Sequence, residues 1–263
     1  MAIRARLLFI GLGLAVLTYG GMLAWHHHQR FQKLAVVDDR CTADGKVITG
    51  NDFDDFGQLC IYAAENRAIQ ASGTWPEVVA FGDSLTRDWP FPDTSIVNRG
   101  IAGQTTSQML LRFRQDVIDN HPSIVHLLAG TNDITGLTGP VSLPQIRGSL
   151  LDMIELARAH DAIVILGTIP PMGSYNGERP GEPAKDVARI NAVIRDIAKD
   201  QRLILADYYA ATSDGTGGLH PALFIEDKVH LTPAGYKVMQ TTFNEALASA
   251  RLAKSRSAPR PDR

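Results

Sequence analysis

Glu77-Val78-Val79-Ala80-Phe81-Gly82-Asp83-Ser84-Leu85-Thr86 is an apolar run that breaks abruptly into a small polar turn. Its first five residues lack the strict alternation of a half-buried strand, so Glu77–Phe81 is expected to be a strand covered on both faces. The turn would then set Ser84 at the carboxyl edge of that strand, where open α/β sheets hold their ligands. Similar runs follow at Ser123–Ala129, Ala162–Leu166 and Arg202–Ala206, with a shorter one at Ser95–Asn98. Amphipathic segments separate them, and that alternation predicts an α/β fold with a parallel sheet.

The intervening helices carry start signals. Thr105 with Gln108, and Ser142 with Gln145, have capping-box spacing, and Thr232-Pro233 sets a cap ahead of a proline at the first helical position. Leu110, Phe113 and Val117 share one helical face, as do Ile146, Leu150, Met153 and Ala157, and again Val187, Ile190, Ile194 and Ile197. These stripes read as core.

Chemistry is expected where the strand-end turns converge. The second strand runs into Gly100-Ile101-Ala102-Gly103 and the third into Gly130-Thr131-Asn132-Asp133, so three glycine-rich or polar turns leave neighbouring strands at one edge. A backbone amide near Ser84, another at Gly103 and the side-chain amide of Asn132 would give three donors around one oxyanion. A serine hydroxyl needs a base, and the base a partner that fixes its tautomer. Asp227 and His230, three residues apart just before Thr232, supply that pair. His220 is the rival base but has no acid three residues before it, and Asp207 is the rival acid. His126 sits inside an apolar strand, while His121 and His160 stand where helices end.

Gly82-Asp83-Ser84-Leu85, Gly103, Gly130-x-Asn132-Asp133 and Asp227-x-x-His230 resemble, in order and separation, the four sequence blocks of the SGNH/GDSL hydrolase superfamily. Asn98–Thr106 and Gly130–Asp133 are similar to the lysophospholipase-like and platelet-activating-factor acetylhydrolase-like members. The Gly-x-Ser-x-Gly elbow of other α/β-hydrolases is absent, since Thr86 stands two after the serine. The resemblance spans roughly Tyr62 to Leu247. It implies a flavodoxin-like three-layer α/β/α sandwich with a five-stranded parallel sheet, and ester or thioester hydrolysis with no metal or organic cofactor. It also implies roles: Ser84 as nucleophile and oxyanion donor, Gly103 and Asn132 as the other donors, His230 as base and Asp227 as its orienter. The expected substrate is a small acyl ester, a lysophospholipid or an acylated glycan. An envelope O-deacetylase, an acyltransferase and a catalytically silent binding protein are the alternatives. The Gly173–Pro183 linker is expected to wall the acyl pocket.

Composition bounds the rest. The 263 residues are 44% hydrophobic and 21% charged, enough for a full core, and 26 basic against 28 acidic side chains leave no basic field for nucleic acid. Arg4 and Arg6 precede an uncharged run, Leu7–Ala24, about 27 Å long as a helix. It is expected to be an uncleaved membrane anchor with the catalytic domain on the extracytoplasmic, periplasmic side, or secreted if the run is cleaved. The two cysteines, Cys41 and Cys60, would pair in such an oxidising compartment, two buried thiols being the alternative. The expected organisation is an anchor over 1–30, a linker and extension over 31–75, the hydrolase domain over 76–250 and a disordered basic tail over 251–263.

Overall fold

A computed structural model describes residues 55–175 and 182–257 continuously, and ahead of them Tyr19, Gly21, Met22, Trp25, Cys41, Thr42, Gly45 and Lys46. Five strands form one parallel sheet: β1 Val78–Gly82, β2 Ile96–Gly100, β3 Ile124–Leu128, β4 Ile163–Gly167 and β5 Ile204–Ala206, in the order β2-β1-β3-β4-β5. Each expected run is a strand that starts one or two residues later than expected, while the ends of β1, β2 and β4 extend by one or two residues, that of β3 retreats by one and that of β5 is unchanged. The central β1 and β3 are buried at every position, which is why their sequence does not alternate, while the edge strands β2 and β5 are partly exposed.

Helices cover both faces of the sheet. Helices α1 Ala63–Ser72, α2 Ser84–Arg87, α3 Thr106–Asp116, α4 Thr131–Thr135, α5 Leu143–Ala159, α6 Pro183–Asp200, α7 Tyr208–Thr212 and α8 Pro233–Ser257 follow in chain order. Met109 and Phe113 of α3, Leu150 and Met153 of α5, and Ile190 and Ile194 of α6 pack with Val79, Phe81, Val125 and Leu127 on one face. Tyr236, Met239, Phe243 and Leu247 of α8 pack with Val78, Ala80, Ile165, Trp89 and Tyr208 on the other. The capping boxes at Thr105/Gln108 and Ser142/Gln145 are both present, so α3 and α5 start where their sequences signal it. Leu110, expected on the core stripe of α3, is only partly buried; Met109 and Phe113 carry that contact.

Two expectations at the ends change. Helix α8 runs on to Ser257, past the Ala250 boundary expected for the domain. The basic residues of the expected tail explain it: Arg251 donates twice to Glu77, at 2.8 and 2.6 Å, and Lys254 reaches Ser123. Residues 258–263 lie outside the described residues. The extension is not a plain linker either, because α1 packs on the core through Ala63 and Asn66, and Cys41 is joined to Cys60. Most of the expected Leu7–Ala24 anchor lies outside the described residues, and among those described no helix is long and apolar enough to cross a membrane.

His126, in the middle of β3, is fully buried, with Nε2 2.8 Å from the Tyr208 hydroxyl and Phe243 packed on its ring. Burial pushes its pKa down to about 3, from 6.5. A base whose folded pKa is depressed stabilises the fold fully above its unfolded pKa, and stability falls as pH drops from there toward the folded value. We expect about 2 kcal/mol to be lost from this group between pH 6.5 and about pH 5. Urea midpoints measured over that window should flatten in His126→Gln; an unchanged slope would remove His126 as the cause.

Candidate active site

The site lies above the carboxyl ends of β1, β2 and β3, where the chain leaves each strand by a short turn. Asp83 ends β1 and caps α2: its Oδ1 accepts from the Leu85 amide at 2.9 Å, so Ser84 becomes the first helical residue. The first N–H groups of a helix have no partner within it, so the Ser84 amide, at the first helical position, has none inside α2. Gly100 is required by closeness, since a Cβ there would stand 2.1 Å from the Arg87 nitrogen. Gly103 is required by its backbone, with φ at +76°.

Asp227, Val229 and His230 come from the turn between β5 and α8. Asp227 Oδ1 accepts from the backbone N–H groups of Val229 and His230, both at 2.9 Å. That arrangement folds the i to i+3 spacing into one tight turn and leaves Oδ2 for the imidazole, 2.7 Å from His230 Nδ1. His230 Nε2 in turn lies 2.8 Å from Ser84 Oγ. Burial works against the charge of Asp227, but the hydrogen bonds from His230 and Val229 outweigh it and hold the carboxyl below its ordinary range. The residue is therefore ionised at neutral pH. Gly173 donates to the Lys228 carbonyl at 2.8 Å, and the Ser174 hydroxyl to the Asp227 carbonyl, bracing the turn from outside.

Ser84, Gly103, Asn132 and His230 line one cavity of about 140 Å³, together with Arg87, Ala102, Leu137 and Val229. Hydroxyl, imidazole and carboxylate joined in series are the groups from which a base-activated alcohol is built, and amides beside them suit a developing oxyanion. The structure thus brings together all five residues singled out in the sequence. It leaves the rivals elsewhere: Asp207 is held by Arg195 and Thr168 and caps α7, and His220 is exposed. The described parts of the linker, Gly173–Tyr175 and Glu182–Pro183, do not line the cavity, and 176–181 lie outside the described residues. Among the described residues Leu137 and Val229 wall it.

Sequence reasoning missed the supports. Asp133, next to Asn132, accepts from the Thr106 amide and hydroxyl at 2.9 and 2.7 Å, tying the β3 turn to the start of α3. Asp83 is fully buried beneath the serine, and burial pushes its pKa up to about 6. Arg112 lies on the buried face of α3 with no exposed surface. Its signal was there to read: Arg112 and Asp116 stand four apart on the same side as Met109 and Phe113, so opposite charges share a core-facing stripe.

Comparison with known proteins gives the family. Residues 70–238 match the model of the GDSL-like Lipase/Acylhydrolase family. YqeF, an uncharacterized lipoprotein of Bacillus subtilis, is 30% identical over an alignment of 210 residues that covers 63% of this chain and 86% of that protein. The acetylxylan esterase of Geobacillus stearothermophilus is 24% identical over 155 residues, 56% of this chain and 69% of the esterase. The crystal structure of a GDSL-like lipase from Bacteroides thetaiotaomicron, 34% identical, superposes with a TM-score of 0.69 and covers 74% of this chain and 99% of its own. A match over more than half the chain, on a sheet with the serine at its carboxyl edge, makes this protein a member of the GDSL-like lipase/acylhydrolase family and an ester hydrolase.

Proposed function

We propose that the protein hydrolyses short-acyl carboxylic esters through Ser84, His230 and Asp227. The observation that carries this is the unbroken run of hydrogen bonds from Ser84 Oγ to His230 at 2.8 Å and from His230 to Asp227 at 2.7 Å. Ser84 Oγ attacks the ester carbonyl carbon while His230 Nε2 takes its proton, and Asp227 holds the Nδ1–H tautomer that leaves Nε2 free to accept. The Ser84 and Gly103 amides and the Asn132 side chain hold the oxyanion. His230 then gives its proton to the departing alkoxide, leaving an acyl-serine. Water repeats the sequence, His230 accepting its proton and returning one to Ser84 Oγ as the free acid leaves.

Cavity size supports the acyl class. About 140 Å³ bounded by Ala102, Leu137 and Val229 fits an acyl group of a few carbons. A second reading, removal of acetyl groups from a glycan, is favoured by similarity to an acetylxylan esterase. Extracytoplasmic placement is supported by the Cys41–Cys60 disulfide, a bond of oxidising compartments, and by similarity to a lipoprotein. The flavodoxin-like sandwich accords with the β2-β1-β3-β4-β5 order and with helices on both faces.

The test is hydrolysis of p-nitrophenyl acetate, butyrate, octanoate and dodecanoate by the full-length protein beside Ser84→Ala. Activity should peak at acetate or butyrate and vanish in the variant. A maximum at octanoate or beyond would overturn the short-acyl class, and activity surviving in folded Ser84→Ala would overturn the mechanism. If acetylated oligosaccharides exceed p-nitrophenyl acetate in kcat/KM, the glycan reading is favoured.

A further inference from the structure

Asn132 presents its side-chain amide to the cavity, and that amide carries two hydrogens. One is committed: Nδ2 donates to the backbone carbonyl of Gln104 at 3.1 Å. The direction of the other, the one an oxyanion would use, is therefore set by where the Gln104 carbonyl stands. Gln104 follows Gly103, whose backbone is left-handed, and the far side of its peptide unit is held where the Thr105 N–H donates to Gln108 Oε1 at 3.1 Å.

The Gln104 side chain anchors the near side of that peptide. It has no exposed surface, and both of its polar atoms are used. Nε2 donates to the carbonyl of Gly57 at 3.1 Å, and Oε1 accepts from Nε of Arg112. Neither partner is free to drift. Arg112 is fully buried, donates through Nη2 to the Gly82 carbonyl at 3.0 Å and pairs through Nη1 with Asp116 at 3.0 Å. Gly57 belongs to a stretch that Asp55 locks by accepting from the Leu59 and Cys60 amides, both at 2.9 Å. The same stretch is tied to α3 by Gln108 donating to the Phe56 carbonyl and Gln115 to the Leu59 carbonyl. Arg112 thus joins the end of β1, two residues before Ser84, to the turn after β2, while Gly57 lies ahead of residues 70–238, where the family model matches.

We propose that Gln104 is a positioning residue: clamped between the Gly57 carbonyl and the Arg112 guanidinium, its side chain fixes the backbone carbonyl that orients Asn132 toward the oxyanion. The extension ahead of the family domain is then a working support of the active site. This rests on Asn132 being an oxyanion donor, as in the proposed function.

Gln104→Met keeps the volume and unbranched shape but removes both anchors. In the full-length protein, with p-nitrophenyl acetate, kcat should fall about 10-fold through misdirection of a donor, with KM changed less than about two-fold. Asn132→Ala alone should lower kcat by about 100-fold or more. In that background Gln104→Met should cost little further, because the group it positions is gone. Unchanged kcat in a folded Gln104→Met protein overturns the proposal, and so does the full loss persisting beside Asn132→Ala. If the Met variant does not fold, the cycle is run on Gln104→Glu, which keeps the acceptor for Arg112 and loses only the donor to Gly57; the same two outcomes apply. Failures separate cleanly. Activity retained in Ser84→Ala sinks the mechanism itself, and kcat retained in Asn132→Ala sinks the oxyanion role together with this proposal. Loss in both with Gln104→Met at the wild-type rate sinks this proposal alone.

Discussion

His230→Ala is expected to lower kcat for p-nitrophenyl acetate by on the order of a million-fold, and Asp227→Asn by about 10,000-fold. The two numbers differ because the two groups do different work. In the proposed mechanism His230 Nε2, 2.8 Å from Ser84 Oγ, accepts the serine proton, and no other base stands within hydrogen-bond reach of that hydroxyl among the described residues. Asp227 never touches the serine. Its Oδ2 selects the tautomer from 2.7 Å, and an asparagine amide there would turn an N–H toward Nδ1 and drive the imidazole proton to Nε2, facing the nucleophile. Because Asp227 Oδ1 also accepts two backbone N–H groups of its own turn, asparagine should leave the turn in place, so the loss falls on kcat and not on folding. Ser84→Ala combined with His230→Ala should be no worse than either alone, as groups acting in one step are not additive. A loss under about 10-fold in Asp227→Asn would remove that residue from the orienting role.

Arg112→Met should destabilise the protein by about 3 to 5 kcal/mol. The guanidinium and Asp116 are both without exposed surface, so removing one leaves a carboxylate buried and uncompensated. Asp116 Oδ1 still accepts from Asn66 at 2.6 Å and from Gln115 at 3.1 Å, which softens the loss without replacing the charge. Arg112 also lies 4.1 Å over the Phe81 ring, a contact methionine reproduces only as packing. Adding Asp116→Asn to Arg112→Met should recover part of the stability, and urea denaturation of the two variants measures it. If the double variant is no more stable than the single, the stranded charge is not the cause.

The central sheet and the five site residues were legible in the sequence because both are encoded locally. Val78–Phe81 and Ile124–Leu128 are buried on both faces, and that leaves a run of apolar side chains whatever the rest of the chain does. Ser84, Gly103 and Asn132 each sit in the turn directly after a strand, and Asp227 and His230 share one turn, so spacing along the chain stood for closeness in space. The supports were not legible for the opposite reason. Gln104 meets Gly57 across 47 positions, and Asn66 meets Asp116 across 50, with nothing local to announce either pair. The end of α8 was misjudged because basic residues suggest a solvated tail when their partners, Glu77 and Ser123, lie at the far end of the sheet. Among the described residues the wall of the cavity includes Leu137 and Val229, neither of which belongs to the linker whose glycines and prolines attract attention.

The 146 positions between Ser84 and His230 bear on how the protein comes to be active after synthesis. Every neighbouring pair in the sheet is parallel, so each requires a crossover, and long-range pairing of that kind is entropically late and slow. The β1, β2 and β3 turns can assemble from the first half of the chain, bringing serine and donors together with no base. The imidazole arrives only when the turn before α8 settles beside β1 and α8 closes the second face of the sheet. On the proposed mechanism, a chain still emerging from the ribosome therefore carries a serine without its base, and turnover begins only when the carboxyl-terminal helix is seated.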